Sequence, residues 1–478
     1  MKGCIRIAAA LAAVLGVGCA PQGAITKADA GPPLMRIGLL ADTQLTSPKA
    51  TSNYLFRSQI ADLAVNVAVR TSAQEVLAGE HLGCLAEDLL ATQPDVLLYL
   101  GDGANSGCDD EIEPFFAQLE RIRTQAGKPV FFVVGNHDYL ATGNQAAASM
   151  RTKACAGGGY VTKAELIART AAFNRASWQR FASRDARFVR YADSLDHVNA
   201  TDGAGCKAGE ALQQEQACYY AAVIEWNAGG HPTQLVLADT SDYTDVVRQP
   251  RIDGVDIAEF AGARGSMGWE AGGQNAWIEK ALGPSPARTR VIASHYPTAD
   301  LSWTRYYSGR PGDLMLSDGH NLWLSGHTHD PDPDSYVMPG SFEDTGPGEE
   351  VMYDEINVGS TTDHRAHAAL VALHPGRATK QPVLAMDAEA ASACEARIDG
   401  VQLGSGYASP YHRNGSTRHR LGLTKHYRRT GYDAAIARKN IETFLAEPGQ
   451  AADREQWVRC LMHAGAKAEA SKWPGWML

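Results

Sequence analysis

Seven side chains of metal-ligand type recur along this 478-residue chain, in five short blocks. The seven are Asp42, Gln44, Asp102, Asn136, His295, His327 and His329. Carboxylate, amide and imidazole groups bind divalent cations, and paired cations activate water and stabilise phosphoryl transfer. One such block carries little weight, because Asp and His are common at strand ends. The ordered set of five predicts a site for two metal ions that acts on a phosphate.

Nearly continuous apolar runs precede the blocks, at residues 35–40, 95–100, 129–134, 291–293 and 321–324. Short apolar runs that stop at a glycine or a polar residue are typical of strands buried on both faces. In sheets with helical connections, ligands bind at the carboxyl ends of the strands, so the five loops can converge on one crevice. Gly101, Gly135 and Gly326 fit the tight turns and close backbone approach that such a crevice needs.

The set resembles the calcineurin-like metallophosphoesterase superfamily over residues 35–373, and its most specific parts are Gly-Asn-His-Asp and Gly-His-Thr-His. The resemblance implies an α/β (α+β) fold, a four-layer α/β/β/α sandwich of two mixed sheets. It also implies two ligand sets that share a bridging Asp102. One metal would take Asp42, Gln44, Asp102 and His329, and the other Asp102, Asn136, His295 and His327.

Hydrolysis of a phosphate ester or diphosphate is the activity implied, by in-line attack of a hydroxide that bridges the ions. The resemblance places His137 beside the substrate, where it stabilises the phosphoryl group or protonates the leaving oxygen, with Asp138 orienting its ring. Alternatively, both residues only close the turn after a strand. A protein of another class remains open: a surface lipoprotein with a vestigial metal site, acting as a binding or structural protein.

The first block departs from the family pattern, because Gln44 stands where a histidine is usual. A similar Asp-x-Gln block occurs in the branch that resembles manganese-dependent ADP-ribose and CDP-alcohol diphosphatases. An amide oxygen is a harder donor than imidazole and favours Mn or Mg over Zn. We therefore expect two divalent ions, Mn favoured and Fe, Zn or Mg as alternatives, and a diester or diphosphate rather than a monoester. In the other interpretation Gln44 is not a ligand and the first metal is weak or absent.

Substrate contacts are predicted in the loop between the last two blocks. Trp303, Arg305 and Tyr306 combine aromatic and cationic groups, which suits stacking on a base or sugar and pairing with phosphate. These aromatic rings could equally pack the loop onto the core. Asn105, in the second block, is a further candidate contact.

The N-terminus reads as a secretory signal, residues 1–18, with Lys2 and Arg6 before a short apolar run. Cys19 follows as the candidate lipidation site, and residues 19–34 would be a tether. Ala20 after the cysteine favours an outer-membrane lipoprotein that faces the periplasm and contacts the membrane through its lipid. The alternative is a soluble periplasmic or secreted enzyme.

Seven cysteines follow Cys19, none in a Cys-x-x-Cys pattern, and disulfides are the natural interpretation in an oxidising compartment. The proposed pairs are Cys84–Cys108, Cys206–Cys218 and Cys394–Cys460. Cys155 would then be free, unless these pairings are wrong.

A formal net charge of −10 disfavours nucleic acid as a partner and leaves a small phosphorylated substrate, with no obligate protein partner evident. Residues 35–378 are predicted as the catalytic domain and 379–478 as a mostly helical extension packed on it. The basic segment 411–429 either meets anionic lipid or a distal phosphate, or is a solvated face. Periodicity predicts helices at 73–91, 113–123, 163–182, 273–282, 432–445 and 453–470, and strands at 221–225 and 234–238.

Overall fold

The computed structural model describes residues 31–47, 70–139, 155, 158–196, 219–241, 265, 267, 273–284, 286–301, 311–329, 332, 338–343, 350–410, 415–424 and 433–470. Within these residues the chain forms two mixed β-sheets with helices packed outside them. This is the four-layer α/β arrangement that the family resemblance implies.

The first sheet has five strands, ordered β12-β11-β1-β2-β3. Its bounds are β1 Met35–Leu40, β2 Val96–Tyr99, β3 Val130–Phe132, β11 His367–His374 and β12 Arg377–Leu384. The three strands that precede metal blocks, β1 to β3, are parallel neighbours, so their carboxyl ends meet at one edge. Strand β11 pairs antiparallel with β1, so the chain segment that leads into β11 lies at this same edge.

The second sheet has seven strands, ordered β4-β5-β6-β7-β8-β10-β9. Its bounds are β4 Phe188–Asp193, β5 Ala221–Ala228, β6 His231–Ala238, β7 Thr289–Ala293, β8 His320–Ser325, β9 Met338–Glu343 and β10 Glu350–Asn357. Strands β6, β7, β8 and β10 run parallel, and β7 and β8 deliver the last two metal blocks.

The five strands that precede the metal blocks bury both faces, because alternate side chains serve different cores. Between the two sheets, residues such as Ile37, Leu98 and Ile224 form one apolar cluster. On the outer faces, residues such as Leu97 and Trp323 pack against the helices in another cluster. This explains why the strands read as continuous apolar runs rather than alternating ones.

Six of the nine described α-helices lie where periodicity predicts them, with shifted ends, and the three at 388–399, 417–420 and 448–452 were not predicted. They are α1 Ser72–Ala91, α2 Asp109–Ala126, α3 Lys163–Arg180, α4 Gln274–Leu282, α5 Ala388–Asp399, α6 Thr417–Arg420, α7 Ala434–Ala446, α8 Pro448–Ala452 and α9 Arg454–Ala470. The largest shift is at α2, which begins at Asp109 rather than at residue 113. Three acidic residues in its first turn, 109–111, favour that earlier start through the helix dipole. No described helix has the length and apolar character needed to cross a membrane.

The C-terminal helices α7 and α9 pack on α1. Leu77 and Ala73 of α1 share an apolar cluster with Phe444 of α7 and with Trp457 and Leu461 of α9. Strand β12 extends to Leu384, so the first sheet runs across the predicted domain boundary at residue 378. The extension therefore begins within a strand of the first sheet, β12, and its helices α7 and α9 pack on α1 of the core.

The disulfides correct one predicted pairing and confirm another. Cys394 is bonded to Cys460, as predicted, and joins α5 to α9. Cys108 is bonded to Cys155 and not to Cys84. Cys84 faces the cluster beneath the extension and remains a buried thiol, whereas Cys108 pairs with Tyr160 in a β-bridge that brings the 155–160 segment close. The predicted Cys206–Cys218 pair lies outside the described residues.

Candidate metal centre

An unusual backbone conformation marks the predicted ligands. Five of them have positive φ: Asp42 at 56°, Gln44 at 47°, Asp102 at 56°, His327 at 70° and His329 at 51°. Among the described non-glycine residues, Gln93 alone shares this left-handed conformation. Such strain is uncommon outside glycine and persists where the surroundings enforce it, often at functional sites. The strands therefore end in sharp turns that aim these side chains at one point.

Two glycines in the blocks leave room for the ligands themselves. A Cβ on Gly135 would lie 2.2 Å from Asp102 Oδ1, and one on Gly326 would lie 2.7 Å from Asp42 Oδ2. The sequence expectation that these glycines permit close approach is met, since a side chain at either position would displace a candidate ligand.

One group of candidate ligands lies between the ends of the two sheets. The ligand atoms of Asp102, His295 and His327 are all within 4.8 Å of one another. His295 Nε2 is 3.3 Å from Asp102 Oδ2 and 2.9 Å from Asn136 Oδ1, and His327 Nδ1 is 3.3 Å from His295 Nε2. These four residues are the set predicted for one of the two metals.

The other group is formed by Asp42, Asp102 and His329, whose ligand atoms also lie within 4.8 Å of one another. His329 Nε2 is 3.2 Å from Asp42 Oδ1. The Gln44 amide nitrogen is 3.1 Å from Asp102 Oδ2 and 3.4 Å from His329 Nε2, and rotation of the amide by 180° would place its oxygen there instead. Asp102 belongs to both groups, as expected for the residue predicted to bridge.

The donor set fits divalent cations. Asp42 Oδ1 is buried, and its 3.2 Å contact with His329 Nε2 lacks hydrogen-bond geometry, although a buried carboxylate oxygen normally needs a partner. Three carboxylate or amide oxygens and three imidazoles surround it within the two groups, a mixture suited to Mn, Fe or Zn. A cation between them would satisfy that oxygen.

The pKa values of the histidine and aspartate side chains in the centre show where positive charge is favoured. Burial alone would lower the pKa of His295, but the Asp102 carboxylate beside it raises that pKa to about 9. Burial likewise opposes charge on His329, yet Asp42 and Asp363 raise its pKa to about 10. Burial would raise the pKa of Asp102, and the neighbouring imidazoles hold it well below its usual range. The surroundings of His295 and His329 therefore favour positive charge, which a bound cation would supply in place of a proton.

His327 differs from these two histidines. Burial, reinforced by the adjacent His295, places its pKa well below the ordinary value. Its ring packs on Tyr296, with ring centroids 4.0 Å apart. A neutral imidazole is the form that ligates a metal, so His327 is already in that form.

Supporting contacts fix two of the imidazoles and were not predicted from the sequence. His295 Nδ1 lies 2.8 Å from the Leu100 carbonyl, so it carries the hydrogen and leaves Nε2 facing Asn136 and Asp102. His329 Nδ1 pairs with Asp363, which in turn receives a bidentate pair of hydrogen bonds from Arg70 at 2.9 and 3.0 Å. A carboxylate behind a ligand histidine fixes its tautomer and raises its basicity.

Asp363 belongs to a segment that follows β10 and fastens the first block. Ser360 Oγ donates to the Asp42 carbonyl at 2.8 Å, and Thr362 Oγ1 donates to the Thr43 carbonyl at 2.7 Å. Asp363 lies three residues after Ser360 in the chain, and nothing in the sequence indicates that it reaches His329.

The predicted role of Asp138 needs correction. Its oxygens do not contact the His137 ring. They accept hydrogen bonds from four main-chain N–H groups, those of Asp102, Gly103, Ala104 and Gly135. Burial, together with the Asp102 charge, raises the pKa of Asp138 to about 7. A fully buried carboxyl needs such donors, so Asp138 is turned towards the second and third blocks and joins their loops.

Asn105 supplies the contact that Asp138 was expected to make. His137 Nδ1 lies 2.7 Å from the Asn105 carbonyl, and its main-chain N–H donates to Asp102 Oδ1 at 2.8 Å. His137 Nε2 is left 4.0 Å from Asp102 Oδ2, at the edge of the centre. The Asn105 side chain is buried and contacts Ser106, so the observed contribution of Asn105 is its carbonyl. Trp303, Arg305, Tyr306 and Cys19 lie outside the described residues.

Comparison with protein families decides the assignment. The model of the calcineurin-like phosphoesterase family matches residues 35–331. The chain belongs to this family. All five metal blocks fall within the matched residues, and membership implies a metal-dependent phosphoester hydrolase with two divalent ions. A search of curated proteins finds no match.

Solved structures similar to this family member are remote in sequence. A dimetal phosphatase from Danio rerio is 15% identical, with 74% of this chain and 99% of that chain covered and a TM-score of 0.38. The sulfate thiohydrolase SoxB of Thermus thermophilus is 14% identical, covering 73% and 57% of the two chains, with a TM-score of 0.29. A purple acid phosphatase from yellow lupin seeds is 11% identical, covering 74% and 52%, with a TM-score of 0.32. At these scores the likenesses support no argument about substrate.

Proposed function

We propose that this phosphoesterase hydrolyses a phosphodiester or a nucleotide-type diphosphate at a binuclear centre. One observation carries the proposal: the Asp102 carboxylate is shared by two adjacent groups of ligand atoms. Asp42, Gln44, Asp102 and His329 would hold one ion, and Asp102, Asn136, His295 and His327 the other. Two bound ions would activate water and stabilise the attacking and leaving oxygens of an in-line displacement.

His137 is the group of this chain placed to handle the leaving oxygen. Because Nδ1 donates to the Asn105 carbonyl, Nε2 is the nitrogen left to face a substrate. Burial lowers the pKa of the ring. The approach of an anionic phosphate favours the protonated ring, which can then donate from Nε2 to a phosphoryl or leaving oxygen.

The experiment is hydrolysis by the metal-stripped protein resupplied with Mn, Mg, Zn or Fe. The panel contains a chromogenic monoester, a chromogenic diester, ADP-ribose and CDP-choline. Metal-restored turnover of a diester or diphosphate is expected in the wild type and absent in Asn136→Ala. Asn227→Ala, on the exposed face of β5, is the matched control and should keep full turnover. If no metal restored turnover and the protein failed to load two ions, the enzyme proposal would be wrong.

We propose Mn as the favoured metal at the position of Gln44, because an amide oxygen is a hard, neutral donor. Gln44→His would substitute a softer nitrogen donor. The ratio of zinc to manganese affinity is then expected to rise about 10-fold, the scale on which ligand surroundings alter metal binding. Competition with a chromophoric chelator measures both affinities, and an unchanged ratio would remove Gln44 from the ligand set.

Export and lipid anchoring at Cys19 are proposed from the N-terminal sequence alone. The Cys394–Cys460 and Cys108–Cys155 bonds support an oxidising compartment, since structural disulfides are rare in reducing ones. Cys19→Ser should release the protein from the membrane fraction. Recovery of wild type and variant in the same soluble fraction would argue for a soluble exported enzyme.

A further inference from the structure

The short loop at residues 105–108 lies directly behind His137. The Asn105 carbonyl accepts the hydrogen bond from His137 Nδ1 at 2.7 Å. Two residues on, Gly107 has φ of 67°, and a Cβ there would lie 2.7 Å from Tyr139 Cα. The loop therefore packs closely against the third metal block. If Asn105 moved, its carbonyl would no longer lie where it accepts the hydrogen bond from His137 Nδ1.

On its other side, the same loop is attached to residues 155–161. Cys108 is covalently bonded to Cys155. Val161 N donates to the Gly107 carbonyl at 3.0 Å, and Asp109 N donates to the Gly159 carbonyl at 3.1 Å. The disulfide is the covalent member of this set of contacts, and without it the attachment depends on main-chain hydrogen bonds.

A third contact holds the loop from the α2 side. Glu111 is buried and accepts from Ser106 N at 2.7 Å and from Cys108 N at 3.4 Å. This carboxylate holds the loop at a fixed distance from α2. It does not connect the loop to residues 155–161. Loss of the disulfide should therefore loosen the loop in one direction without detaching it.

We propose that the Cys108–Cys155 disulfide is a positioning element for His137, acting through the Asn105 carbonyl, so that breaking it lowers turnover while both metals stay bound. The inference rests on the proposed function, in which His137 acts on the substrate. It assigns the disulfide a role beyond holding the fold together.

Metal retention follows from where the ligands are fixed. Asp102 is held by Asp138, which accepts from Asp102 N and from Gly135 N, and these contacts do not involve the 105–108 loop. Asn136 and His295 contact each other directly at 2.9 Å. Loosening of the loop thus reaches the His137 ring before it reaches the ligands.

A dithiol reductant would break this bond in the wild-type protein. One of its thiolates attacks a sulfur of the Cys108–Cys155 bond, forming a mixed disulfide and releasing the other cysteine as a thiolate. The second thiol of the reductant then displaces the first cysteine and closes its own disulfide. The two cysteines take up two protons, and the reductant is oxidised by two electrons. Because reduction acts on other disulfides too, variants are needed to separate them.

The test compares Cys108→Ser/Cys155→Ser with Cys394→Ser/Cys460→Ser, which removes the bond between α5 and α9 instead. Serine at position 108 keeps a side-chain oxygen at the start of α2. In the first variant kcat should fall about 10- to 100-fold, the range expected when a proton-transfer group is misplaced, with metal content and KM within about 2-fold. The second variant should keep kcat within about 2-fold of wild type.

Nitrogen-15 NMR of the His137 ring provides a readout independent of turnover. The wild type should show Nδ1 protonated and hydrogen-bonded, and the first variant should show mixed tautomers. Unchanged kcat and an unchanged ring signal would overturn the proposal. So would a loss of bound metal in step with turnover, because the bond would then serve only the fold. If the wild type itself shows no metal-dependent turnover, the proposed function fails, and the NMR signal alone decides whether the disulfide positions the ring.

Discussion

Two candidate histidine ligands each meet an acceptor on the ring nitrogen that faces away from the centre. For His295 it is the Leu100 carbonyl, and for His329 it is the Asp363 carboxylate, itself clamped by Arg70. A carboxylate raises the basicity of the ring more than a carbonyl does, so the two metal positions differ in how strongly their histidines bind.

The difference can be measured with Asp363→Asn. Removal of the carboxylate leaves the His329 ring less basic, and we expect affinity for the first metal to fall about 10- to 100-fold while the second metal is retained. Metal titration with a chromophoric chelator resolves the two sites.

Asp354→Asn is the matched control for that substitution. Asp354 pairs with His320 Nε2 at 2.9 Å in the second sheet, and neither residue belongs to the two groups of candidate ligands found among the described residues. Its removal should leave both metal affinities unchanged. Equal affinity in Asp363→Asn and wild type would show that Asp363 does not tune His329.

At the scale of elements, the site depends on how five strands end. Each strand passes from a buried apolar run into a turn, and at Asp42, Asp102 and His327 that turn is left-handed. Because Gly135 and Gly326 have no side chain, the neighbouring turns with Asp102 and Asp42 can lie in contact with them. The two sheets thereby bring the five loops together at one edge.

Gly135→Ala tests this close approach. The new Cβ would meet Asp102 Oδ1 at 2.2 Å and Asp102 N at 2.3 Å, and the backbone on both sides has little room to move. We expect loss of bound metal and a decrease of about 1–3 kcal/mol in the free energy of unfolding, as for other overpacked positions. Elemental analysis and denaturant unfolding measure the two effects.

Gly449→Ala provides the comparison, because a Cβ at that position in α8 meets nothing within 4 Å. It should keep its metal and its stability. Full metal content in Gly135→Ala would mean that the loops adjust, and that the glycine is not required for the site.

At the scale of the whole molecule, α1 lies between the catalytic core and the C-terminal helices. His81 of α1 is fully buried, with Nδ1 2.7 Å from the Thr361 carbonyl of the segment that fastens the first metal block. Burial, together with the charges of Arg459 and His463, lowers its pKa to about 4. The same helix packs on α7 and α9, so the extension and the metal loops share one support.

The buried histidine predicts a loss of stability in acid. Its pKa is about 4 in the folded protein and 6.5 ordinarily, so the unfolded chain binds a proton more tightly. Stability is therefore lost as the pH falls from about 6.5 towards 4, by about 2 kcal/mol between pH 7 and pH 5 from this residue. Denaturant unfolding of wild type and His81→Gln at both pH values isolates the contribution.

The variant should lose about 2 kcal/mol less than wild type over that interval. Asn227→Ala, which removes no titratable group, is the control and should follow wild type. Parallel pH dependence of wild type and His81→Gln would show that His81 is solvated or protonated in the folded state.

The ligand blocks were predictable because they are local signals, and the sandwich was predictable because those blocks resemble a family with that fold. A strand buried on two faces must be apolar throughout, and the first polar residues beyond it must lie at the sheet edge. Asp42, Asn136 and His295 are such residues, and the structure brings them together. Helix periodicity similarly located α1, α3 and α9.

Contacts between distant segments were decided by the tertiary structure alone. Cys108 bonds to Cys155 rather than Cys84, because a β-bridge at Tyr160 brings the later segment to α2. Asp138 joins two loops while the Asn105 carbonyl orients His137. A carbonyl acceptor has no side-chain signature, and a carboxylate such as Asp363 looks like any surface acid until its partner is known.

By itself, then, the sequence determined the family, the order in which the five metal blocks follow their strands, and the identity of the seven candidate ligands. Each of these depends on residues adjacent in the chain. Only the tertiary structure decided which ring nitrogen faces the centre, which acid supports which histidine and which cysteines bond. Those outcomes depend on the packing of segments far apart in the chain, such as those of Thr43 and Thr361, which are separated by 318 residues. Hydrophobic patterning specifies which face a side chain takes, and it does not specify its partner.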